Sequence, residues 1–167
     1  MSAAVYAPVV LYNTDAISVD IWGVACYTIC GGVMPKLKIL IIDDDLFWHR
    51  LLKRLFDGRG YDIQTAANCA DGIKVAAQNK PDCILLDFHL GDGDAVSVCS
   101  ALRGGGNINE TRVIVVSSDP GAEITAYAEC RADYFVLKGS HGMMQLPLIV
   151  EKVLSRQDEA GVMDSRC

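Results

Sequence analysis

The chain has 167 residues, enough for one domain with short segments at either end. Its net charge of −6 and pI of about 4.9 argue against direct binding to a nucleic-acid backbone. Seven cysteines without a CxxC pair favour buried free thiols in a reducing cytoplasm over a disulfide framework. Cys26 and Cys30 alone would supply only half of a zinc site.

Residues 1–35 are predicted to be an N-terminal extension of uncertain order. The first 33 residues contain no lysine or arginine, and Asp15 and Asp20 interrupt their apolar runs. A secretory signal begins with basic residues and a spanning helix needs about 18 apolar residues, so neither is expected. Met34 is a natural start directly before the first strong strand. The extension is therefore either the product of an overlong start assignment or an interfacial or partner-binding segment.

From residue 37 onward, short apolar runs alternate with segments of helical period. In chain order the prediction is strand 37–42, helix 46–56, strand 61–66, helix 69–78, strand 82–87, helix 95–103, strand 112–117, a helix from Pro120 or Gly121 to near Arg131, strand 133–137 and helix 143–155. Such alternation predicts an α/β fold, a flavodoxin-like doubly wound sheet of five parallel strands in the order 2-1-3-4-5, with helices on both faces. Residues 36–155 would form this domain, followed by a polar tail, 156–167.

Two local assignments complete the prediction. In the first helix, His49 falls on the polar face. The apolar face of that helix is assigned to Phe47, Leu51, Leu52, Leu55 and Phe56. The glycine- and aspartate-rich segment 91–94 is predicted to be a turn, and residues 104–107 a flexible loop.

Four polar features each close an apolar strand: the pair Asp43-Asp44, then Asp87, Ser117 and Lys138. Parallel strands end at one edge of their sheet, so these side chains are expected to converge in one crevice. Neighbouring carboxylates repel each other unless a cation is shared, and oxygen ligands favour Mg²⁺ or Mn²⁺ over zinc. Asp87 is the natural nucleophile, because an aspartate can carry a phosphoryl group as an acyl phosphate. Lys138 and Ser117 would supply a positive charge and a hydrogen-bond donor to that group.

Each of these residues alone has an ordinary explanation. Acidic residues are common at helix starts, an aspartate after a strand can cap a turn, and single serines and lysines are common on surfaces. Their joint order carries the prediction. The longest gap, between Asp43 and Asp87, has room for one intervening strand–helix unit, and the other two gaps fit single units.

Residues 36–155 resemble the receiver domain of two-component response regulators. The stretch KLKILIIDDD resembles the family's first strand with its acidic pair. PDCILLDFHLGDGDA resembles the segment around the phosphoacceptor, which maps onto Asp87. RVIVVSS resembles the strand that ends in the Ser/Thr switch, here Ser117. ADYFVLK resembles the strand that carries an aromatic switch residue, here Phe135, three positions before the family's lysine, here Lys138.

The resemblance implies a stand-alone signalling switch and not a conventional enzyme. It implies phosphoryl transfer from a sensor histidine kinase or a histidine phosphotransfer protein, with Mg²⁺ as cofactor. Asp44 and Asp87 would bind the metal directly, Asp43 through water, and His89 through its backbone carbonyl. Phosphorylation would move Ser117 and turn Phe135 inward, which changes the surface of the fourth helix, fifth strand and fifth helix that a downstream protein reads. A homodimer remains open.

Several positions depart from the family pattern. Gly91 and Ala95 replace a usual proline and a usual glycine, which predicts a loop that is looser at its start and differently closed at its end. Gly139 replaces a usual proline, which predicts a more mobile lysine loop. The larger Ser118 would narrow access to the pocket. His89 is predicted to tune the lifetime of the acyl phosphate, with Ser118 and Asp119 as further candidates, although His89 is equally compatible with an exposed histidine without a role.

Two other functions stay open. The first is a receiver-like interaction module that no longer takes up phosphate. The second is a haloacid dehalogenase-like Mg²⁺-dependent phosphatase that uses Asp43, but this leaves Asp87 without a role and lacks a later acidic pair after a strand. A P-loop nucleotide enzyme is disfavoured because the chain has no GxxxxGK[ST] motif.

Overall fold

The computed structural model describes residues 18–19, 25–26, 36–105 and 111–162. The chain divides into two units, Met1–Pro35 and Lys36–Cys167. In the first unit, the described residues form two short antiparallel strands, β1 (Ser18–Val19) and β2 (Ala25–Cys26). The predictions for the rest of the N-terminal extension, for Cys30, for residues 106–107 and for residues 163–167 lie outside the described residues. No helix in the described ranges is long and apolar enough to cross a membrane.

The second unit is built on a five-stranded parallel sheet. Its elements are β3 (Lys38–Ile42), α1 (Leu46–Phe56), β4 (Asp62–Ala66), α2 (Cys69–Asn79), β5 (Cys83–Leu86), β6 (His89–Leu90), β7 (Gly93–Asp94), α3 (Ala95–Gly104), β8 (Arg112–Ser117), α4 (Ala122–Ala128), β9 (Tyr134–Leu137) and α5 (His141–Val162). The strand order is β4-β3-β5-β8-β9, and all neighbours are parallel. This is the predicted order 2-1-3-4-5, so the predicted fold class is confirmed.

Helices cover both faces of the sheet. Successive residues of a strand point to opposite faces, and β3 divides accordingly. Leu40 and Ile42 belong to a core that also contains buried residues of α2, α3 and α4. Ile39 and Ile41 belong to a second core with buried residues of α1 and α5. Because both faces are covered, the central strands are continuous apolar runs, as the sequence predicted.

The packing of α2 holds the end of β3 in place. Asn68 caps α2 by accepting a hydrogen bond from Asp71 N at 2.8 Å. One turn into the helix, Gly72 lies against Ile42, and a Cβ added there would be only 2.7 Å from Ile42 Cδ1. The close approach leaves little room for a side chain at position 72 and packs α2 tightly on the last residue of β3.

The predicted faces of α1 are partly wrong. His49, assigned to the polar face, is 8% exposed, whereas Phe47, assigned to the apolar face, is 61% exposed. The buried positions are His49, Leu52 and Phe56, which are spaced three and four residues apart on one side of the helix. α1 packs on α5 as well as on the sheet, so tertiary contacts and not hydropathy decide which side is covered.

Three other boundaries differ from the prediction. The fourth helix ends at Ala128 and not near Arg131, because Arg131 is left-handed (φ 48°) and Ala132 N bonds back to Ala126 O at 3.0 Å. The fifth helix is longer than 143–155 and runs from His141 to Val162. Residues 89–94, which include the predicted turn, form an antiparallel β6–β7 hairpin.

The cysteine prediction is confirmed where side chains are described. Four cysteines have described side chains, and all are buried free thiols: Cys69, Cys83, Cys99 and Cys130. Burial raises the pKa of the Cys69 thiol to about 11, so this thiol stays protonated at neutral pH.

Candidate functional site

Three charged side chains meet at the carboxyl ends of the strands. Asp43 follows β3 and Asp87 follows β5, and these neighbouring strand ends are joined by a hydrogen bond from Asp87 N to Ile42 O at 2.8 Å. Lys138 Nζ lies 2.7 Å from Asp43 Oδ2 and 2.7 Å from Asp87 Oδ2. The side chains of Lys138, Asp43 and Asp87 are only 4%, 2% and 11% exposed. We call these three residues the buried triad.

Lys138 reaches the triad from a strand that is not adjacent to β3 or β5. Its backbone N donates to Ser117 O at 2.7 Å, which continues the pairing of β9 with β8. Its ammonium lies 4.9 Å from the centre of the Trp48 ring, at the start of α1. The following residue, Gly139, has φ +76°, a conformation that glycine adopts without strain.

The electrostatics of the triad favour a second cation. Burial raises the pKa of the Asp87 carboxyl, and the nearby charge of Asp43 raises it further, while the Lys138 hydrogen bond and charge act in the opposite direction. One ammonium therefore does not fully compensate for the buried carboxylates. Additional positive charge in this pocket would stabilise the ionised form of Asp87.

Asp44 completes an acidic cluster that could hold a metal ion. Asp44 is exposed, and one carboxylate oxygen from each of Asp43, Asp44 and Asp87 lies within 4.8 Å of the other two. Asp43 Oδ1 also accepts from Asp45 N at 2.9 Å, and Asp45 in turn caps α1 through Phe47 N. Carboxylate oxygens are hard ligands, so the residues present fit a hard divalent cation.

The two predicted switch residues lie on β8 and β9. Ser117 is fully buried at the end of β8, and its Oγ accepts a hydrogen bond from Asp119 N at 3.1 Å. Phe135 is 9% exposed and packs in the core beneath α2, α3 and α4. Its backbone N donates to the Tyr127 hydroxyl of α4 at 3.1 Å. Phe135 is thus connected to α4 through Tyr127.

An exposed rim surrounds the buried triad. We use this name for the β6–β7 hairpin, residues 89–94, together with Ser118 and Asp119. His89 Nε2 lies 3.3 Å from Asp119 Oδ2, and these side chains are 66% and 49% exposed. Asp119 Oδ1 accepts from Gly121 N at 2.8 Å. This backbone hydrogen bond, and secondarily His89, lower the pKa of the Asp119 carboxyl. Ser118 is exposed.

Two functional features were not predicted from the sequence. Asp94 caps α3 through Ser97 N at 2.8 Å, and an aspartate directly before a helix was a usable signal for this. Asp92 accepts from Cys69 N at 2.8 Å and from Ala70 N at 3.3 Å, although Cys69 is 23 residues away in the chain. No local sequence pattern indicates such a distant contact.

The departures Gly91 and Ala95 both lie in or next to the hairpin. His89 pairs with Asp94, and Leu90 pairs with Gly93. At the end of the hairpin, Ala95 N donates to Phe88 O at 2.9 Å, and Ala95 is fully buried. The hairpin therefore has its own pattern of hydrogen bonds where the family's usual proline and glycine are missing.

The structure brings together most of the predicted site residues. Asp43, Asp87 and Lys138 are in direct contact, and Asp44 lies next to them. Of the other predicted residues, Ser117 ends β8, Phe135 is buried within β9, and His89, Ser118 and Asp119 lie on the rim.

Comparisons with known proteins agree with this geometry. Residues 39–147 match the family model of the response regulator receiver domain. The acid tolerance regulatory protein ActR of Rhizobium meliloti is 32% identical over 105 residues, which are 63% of this chain and 47% of ActR. The chain spans about half the length of the curated relatives it matches.

Two solved structures show the same fold. A two-component response regulator from Clostridium difficile is 27% identical with a TM-score of 0.65, over 73% of this chain and 98% of that one. Chemotaxis protein CheY4 of Vibrio cholerae is 18% identical with a TM-score of 0.64, over 71% of this chain and 99% of that one. The family match covers more than half of the chain and includes the whole buried triad. The chain therefore belongs to the response regulator receiver domains, the phosphoryl-accepting signalling domains of two-component systems.

Proposed function

We propose that Asp87 is the phosphoacceptor and that its phosphorylation depends on Mg²⁺. One observation carries the proposal: Asp87 contacts Lys138 Nζ at 2.7 Å, and one of its carboxylate oxygens lies within 4.8 Å of one oxygen of Asp43 and one oxygen of Asp44. Asp43 also shares the acidic cluster and the ammonium, but the position of Asp87 at the end of β5 is the one that resembles the family's phosphoacceptor. This is the arrangement that phosphoryl transfer to an aspartate requires.

The acidic cluster is the proposed Mg²⁺ site. Asp44 and Asp87 would bind the ion directly, Asp43 through water, and His89 through its backbone carbonyl. Three carboxylates and one ammonium leave negative charge unbalanced in the pocket when all are ionised, which suits a divalent cation. The bound ion would neutralise charge on the transferring oxygens.

In the proposed reaction, a carboxylate oxygen of Asp87 attacks the phosphorus atom of a phosphohistidine. An O–P bond forms as the N–P bond to the donor imidazole breaks, and the electron pair of that bond stays on the imidazole nitrogen. The donor is a sensor histidine kinase or a histidine phosphotransfer protein. Because Asp87 is already ionised when it attacks, no protein base is needed at this step.

Lys138 and Ser117 would stabilise the product. Lys138 Nζ has three donors and uses two of them on Asp43 and Asp87, so a third can reach a phosphoryl oxygen. Ser117 Oγ accepts from Asp119 N, and its own hydrogen is free to be donated to a second phosphoryl oxygen. Both contacts place positive charge or a donor where negative charge is added.

We further propose that the signal leaves through α4, β9 and α5. Phe135 N is bonded to the Tyr127 hydroxyl, so a change in Phe135 acts directly on α4. This region exposes large apolar side chains, including Ile124 (80%), Met144 (72%) and Leu148 (61%). Such side chains suit a downstream protein or a second copy of this domain. The net charge of −6 gives no support for direct nucleic-acid binding.

His89 is the proposed group that shortens the life of the acyl phosphate. It lies two residues after Asp87, and Asp119 holds its ring at 3.3 Å. A histidine oriented by a carboxylate can take a proton from a water that attacks phosphorus. The O–P bond to Asp87 then breaks and the carboxylate leaves. Ser118 is exposed, and we propose that it restricts access of this water.

We propose a cytoplasmic location because the described cysteine side chains are free thiols. All cysteines with described side chains are buried and reduced. Such thiols are typical of a reducing compartment.

The test is incubation of the protein with Mg²⁺ and acetyl phosphate, followed by intact-mass measurement. Wild type should gain the mass of one phosphoryl group, and Mg²⁺ chelation should prevent the gain. Asp87→Asn should gain nothing, whereas Ser118→Ala should still be modified. An unmodified wild type would favour the alternative of a receiver-like interaction module.

Phosphorylation by acetyl phosphate also distinguishes the receiver function from the haloacid dehalogenase-like phosphatase alternative. That mechanism would place the phosphoryl group on Asp43, which is 1% exposed and already bonded to Lys138 and to Asp45 N. The family match also favours the receiver function. Peptide mapping of the modified protein should find the group between residues 81 and 103 and not in the segment that contains Asp43. A modified Asp43 would overturn the proposal.

A further inference from the structure

The β6–β7 hairpin is attached to α2 by one side chain. The first four N–H groups of a helix have no partner within the helix. In α2, Asp92 accepts from the first two, Cys69 N at 2.8 Å and Ala70 N at 3.3 Å. Asp71 N donates to the Asn68 side chain, and Gly72 N makes the first intrahelical bond, to Asn68 O. Two backbone N–H groups at the start of α2 therefore donate hydrogen bonds to a residue of the hairpin.

A second contact brings the hairpin close to α2. A Cβ added at Gly93 would lie 3.0 Å from Cys69 Sγ, so the backbone of β7 rests directly on the first residue of the helix. The two N–H groups also lower the pKa of the exposed Asp92 carboxyl, chiefly through Cys69 N. Its ionised form is favoured at the positive end of the α2 dipole.

The other side of the hairpin borders the acidic cluster. The hairpin begins two residues after Asp87, and a Cβ added at Gly91 would be 3.5 Å from Asp44 Oδ2. The hairpin thus lies between the start of α2 and the carboxylates proposed to bind Mg²⁺. Whatever fixes the hairpin against α2 also fixes its distance from Asp44 and Asp87.

We propose that Asp92 is a positioning residue for the metal pocket: by holding the hairpin on the N-terminus of α2, it sets the geometry in which the hairpin backbone and the acidic cluster bind Mg²⁺ together. This rests on the proposed function. Asp92 itself contacts neither the metal nor the phosphoryl group. In this chain it supplies a restraint at the loop where the family's usual proline is replaced by Gly91.

The experiment compares three variants that separate positioning from helix stability. Asp92→Ala removes both hydrogen bonds, and Asp92→Asn keeps an oxygen that can accept from Cys69 N. Asn68→Ala is the matched control, because it removes a cap of the same helix without touching the hairpin. All are made in the full chain with Trp22→Phe, so that Trp48, whose ring lies beside Lys138, is the one remaining tryptophan.

Mg²⁺ is titrated against Trp48 fluorescence, and the midpoint of urea unfolding is measured for each protein. Asp92→Ala should raise the Kd for Mg²⁺ about tenfold, since residues that orient metal ligands affect affinity on this scale. Asp92→Asn should restore most of the affinity. Asn68→Ala should lower the unfolding midpoint as Asp92→Ala does but leave the Kd within about twofold.

Two results would overturn the proposal. An unchanged Kd in Asp92→Ala would mean that the hairpin needs no such restraint. Equal losses of affinity in Asp92→Ala and Asn68→Ala would mean that helix stability alone is involved. If the parent protein itself binds no Mg²⁺, the proposed function fails together with this inference, whereas a normal parent with either result removes the inference alone.

Discussion

The buried triad and the exposed rim are both rich in aspartate, but they are stabilised in different ways. In the triad, Asp43 and Asp87 are buried and share one ammonium. On the rim, Asp92, Asp94 and Asp119 accept hydrogen bonds from backbone N–H groups. The triad is held by contacts between opposite charges, whereas the rim carboxylates are held by backbone N–H groups, which for Asp92 come from the distant start of α2.

The pKa shifts differ in sign between the two regions. Burial raises the pKa of Asp87, because it disfavours the charged form. Backbone and side-chain hydrogen bonds from Ser97 and Gly121 lower the pKa of Asp94 and Asp119. At neutral pH the ionised form of Asp87 is thus a cost to folding without a metal, while the ionised forms of Asp94 and Asp119 are a gain.

The largest effect is expected when the triad loses its ammonium. Lys138→Met would leave two buried carboxylates without a counter-charge, and removal of one partner from a buried ion pair costs about 3 kcal/mol or more. We expect the free energy of unfolding to fall by about 3 kcal/mol in urea denaturation at pH 7 without Mg²⁺. Lys53→Met, which removes an exposed lysine of α1, should change it by less than about 0.5 kcal/mol.

A double mutant makes this prediction specific to the charges. Lys138→Met combined with Asp87→Asn should lose less stability than Lys138→Met alone, because one of the two buried carboxylates that lack a counter-charge has been replaced by a neutral amide. Additive losses would show that Lys138 stabilises the fold through its packing on Trp48 and not through the triad.

The triad could be predicted from the sequence because it follows from topology. Once the strands are known to be parallel, the residues after them must share one edge, and this places Asp43, Asp87 and Lys138 together. The rim could not be predicted in the same way. The contact of Asp92 with Cys69 N depends on how a hairpin packs against a helix that is distant in the chain. The spacing of apolar residues in the sequence does not predict such a contact. The sequence did not predict the burial of His49 for a similar reason: packing against neighbouring elements determines which face of α1 is buried.

A smaller effect is expected from the rim cap of α3. Asp94→Ala removes the acceptor for Ser97 N, and loss of such a cap costs about 1 kcal/mol. Urea denaturation at pH 7 should show this loss. Asp94→Ser, which keeps an oxygen at the capping position, should recover most of it, and an equal loss in both variants would exclude the cap as the cause.

Asp87→Asn should act in the opposite direction from the rim variants. Without metal at pH 7, replacing the ionised carboxyl by a neutral amide should raise the free energy of unfolding by up to about 1 kcal/mol. Because the folded pKa of Asp87 lies above the ordinary value of 3.8, the gain should shrink as pH falls toward that value and the wild-type group takes up its proton.

The rim gives the contrasting pH dependence. The folded pKa of Asp94 is depressed, so its contribution is complete above 3.8 and is lost only as pH falls through the lower folded value. Unfolding measured at pH 7 and at a mildly acidic pH should therefore show a shrinking gain for Asp87→Asn but a constant loss for Asp94→Ala. Parallel changes in both variants would contradict the difference between the two regions.

The smallest effect on stability is expected at His89 and Asp119. Both are exposed, so His89→Ala should change the free energy of unfolding by less than about 0.5 kcal/mol. The same variant should lengthen the half-life of phosphorylated Asp87 about tenfold, as measured by intact mass after removal of acetyl phosphate. This is below the range of about 10²–10⁴ for well-positioned general bases, because the His89 side chain is 66% exposed.

Asp119→Asn tests whether Asp119 acts by orienting the His89 ring or acts directly on the attacking water. The variant keeps an amide oxygen that can accept from Gly121 N, so the local backbone turn should be preserved. If Asp119 acts by holding the His89 ring, Asp119→Asn should lengthen the half-life less than His89→Ala does. The double variant should then match His89→Ala, because an orienting residue has no effect once the group it orients is gone. Additive changes would mean that Asp119 acts on the attacking water independently. Unchanged half-lives in all three variants would make His89 an ordinary exposed residue of the rim.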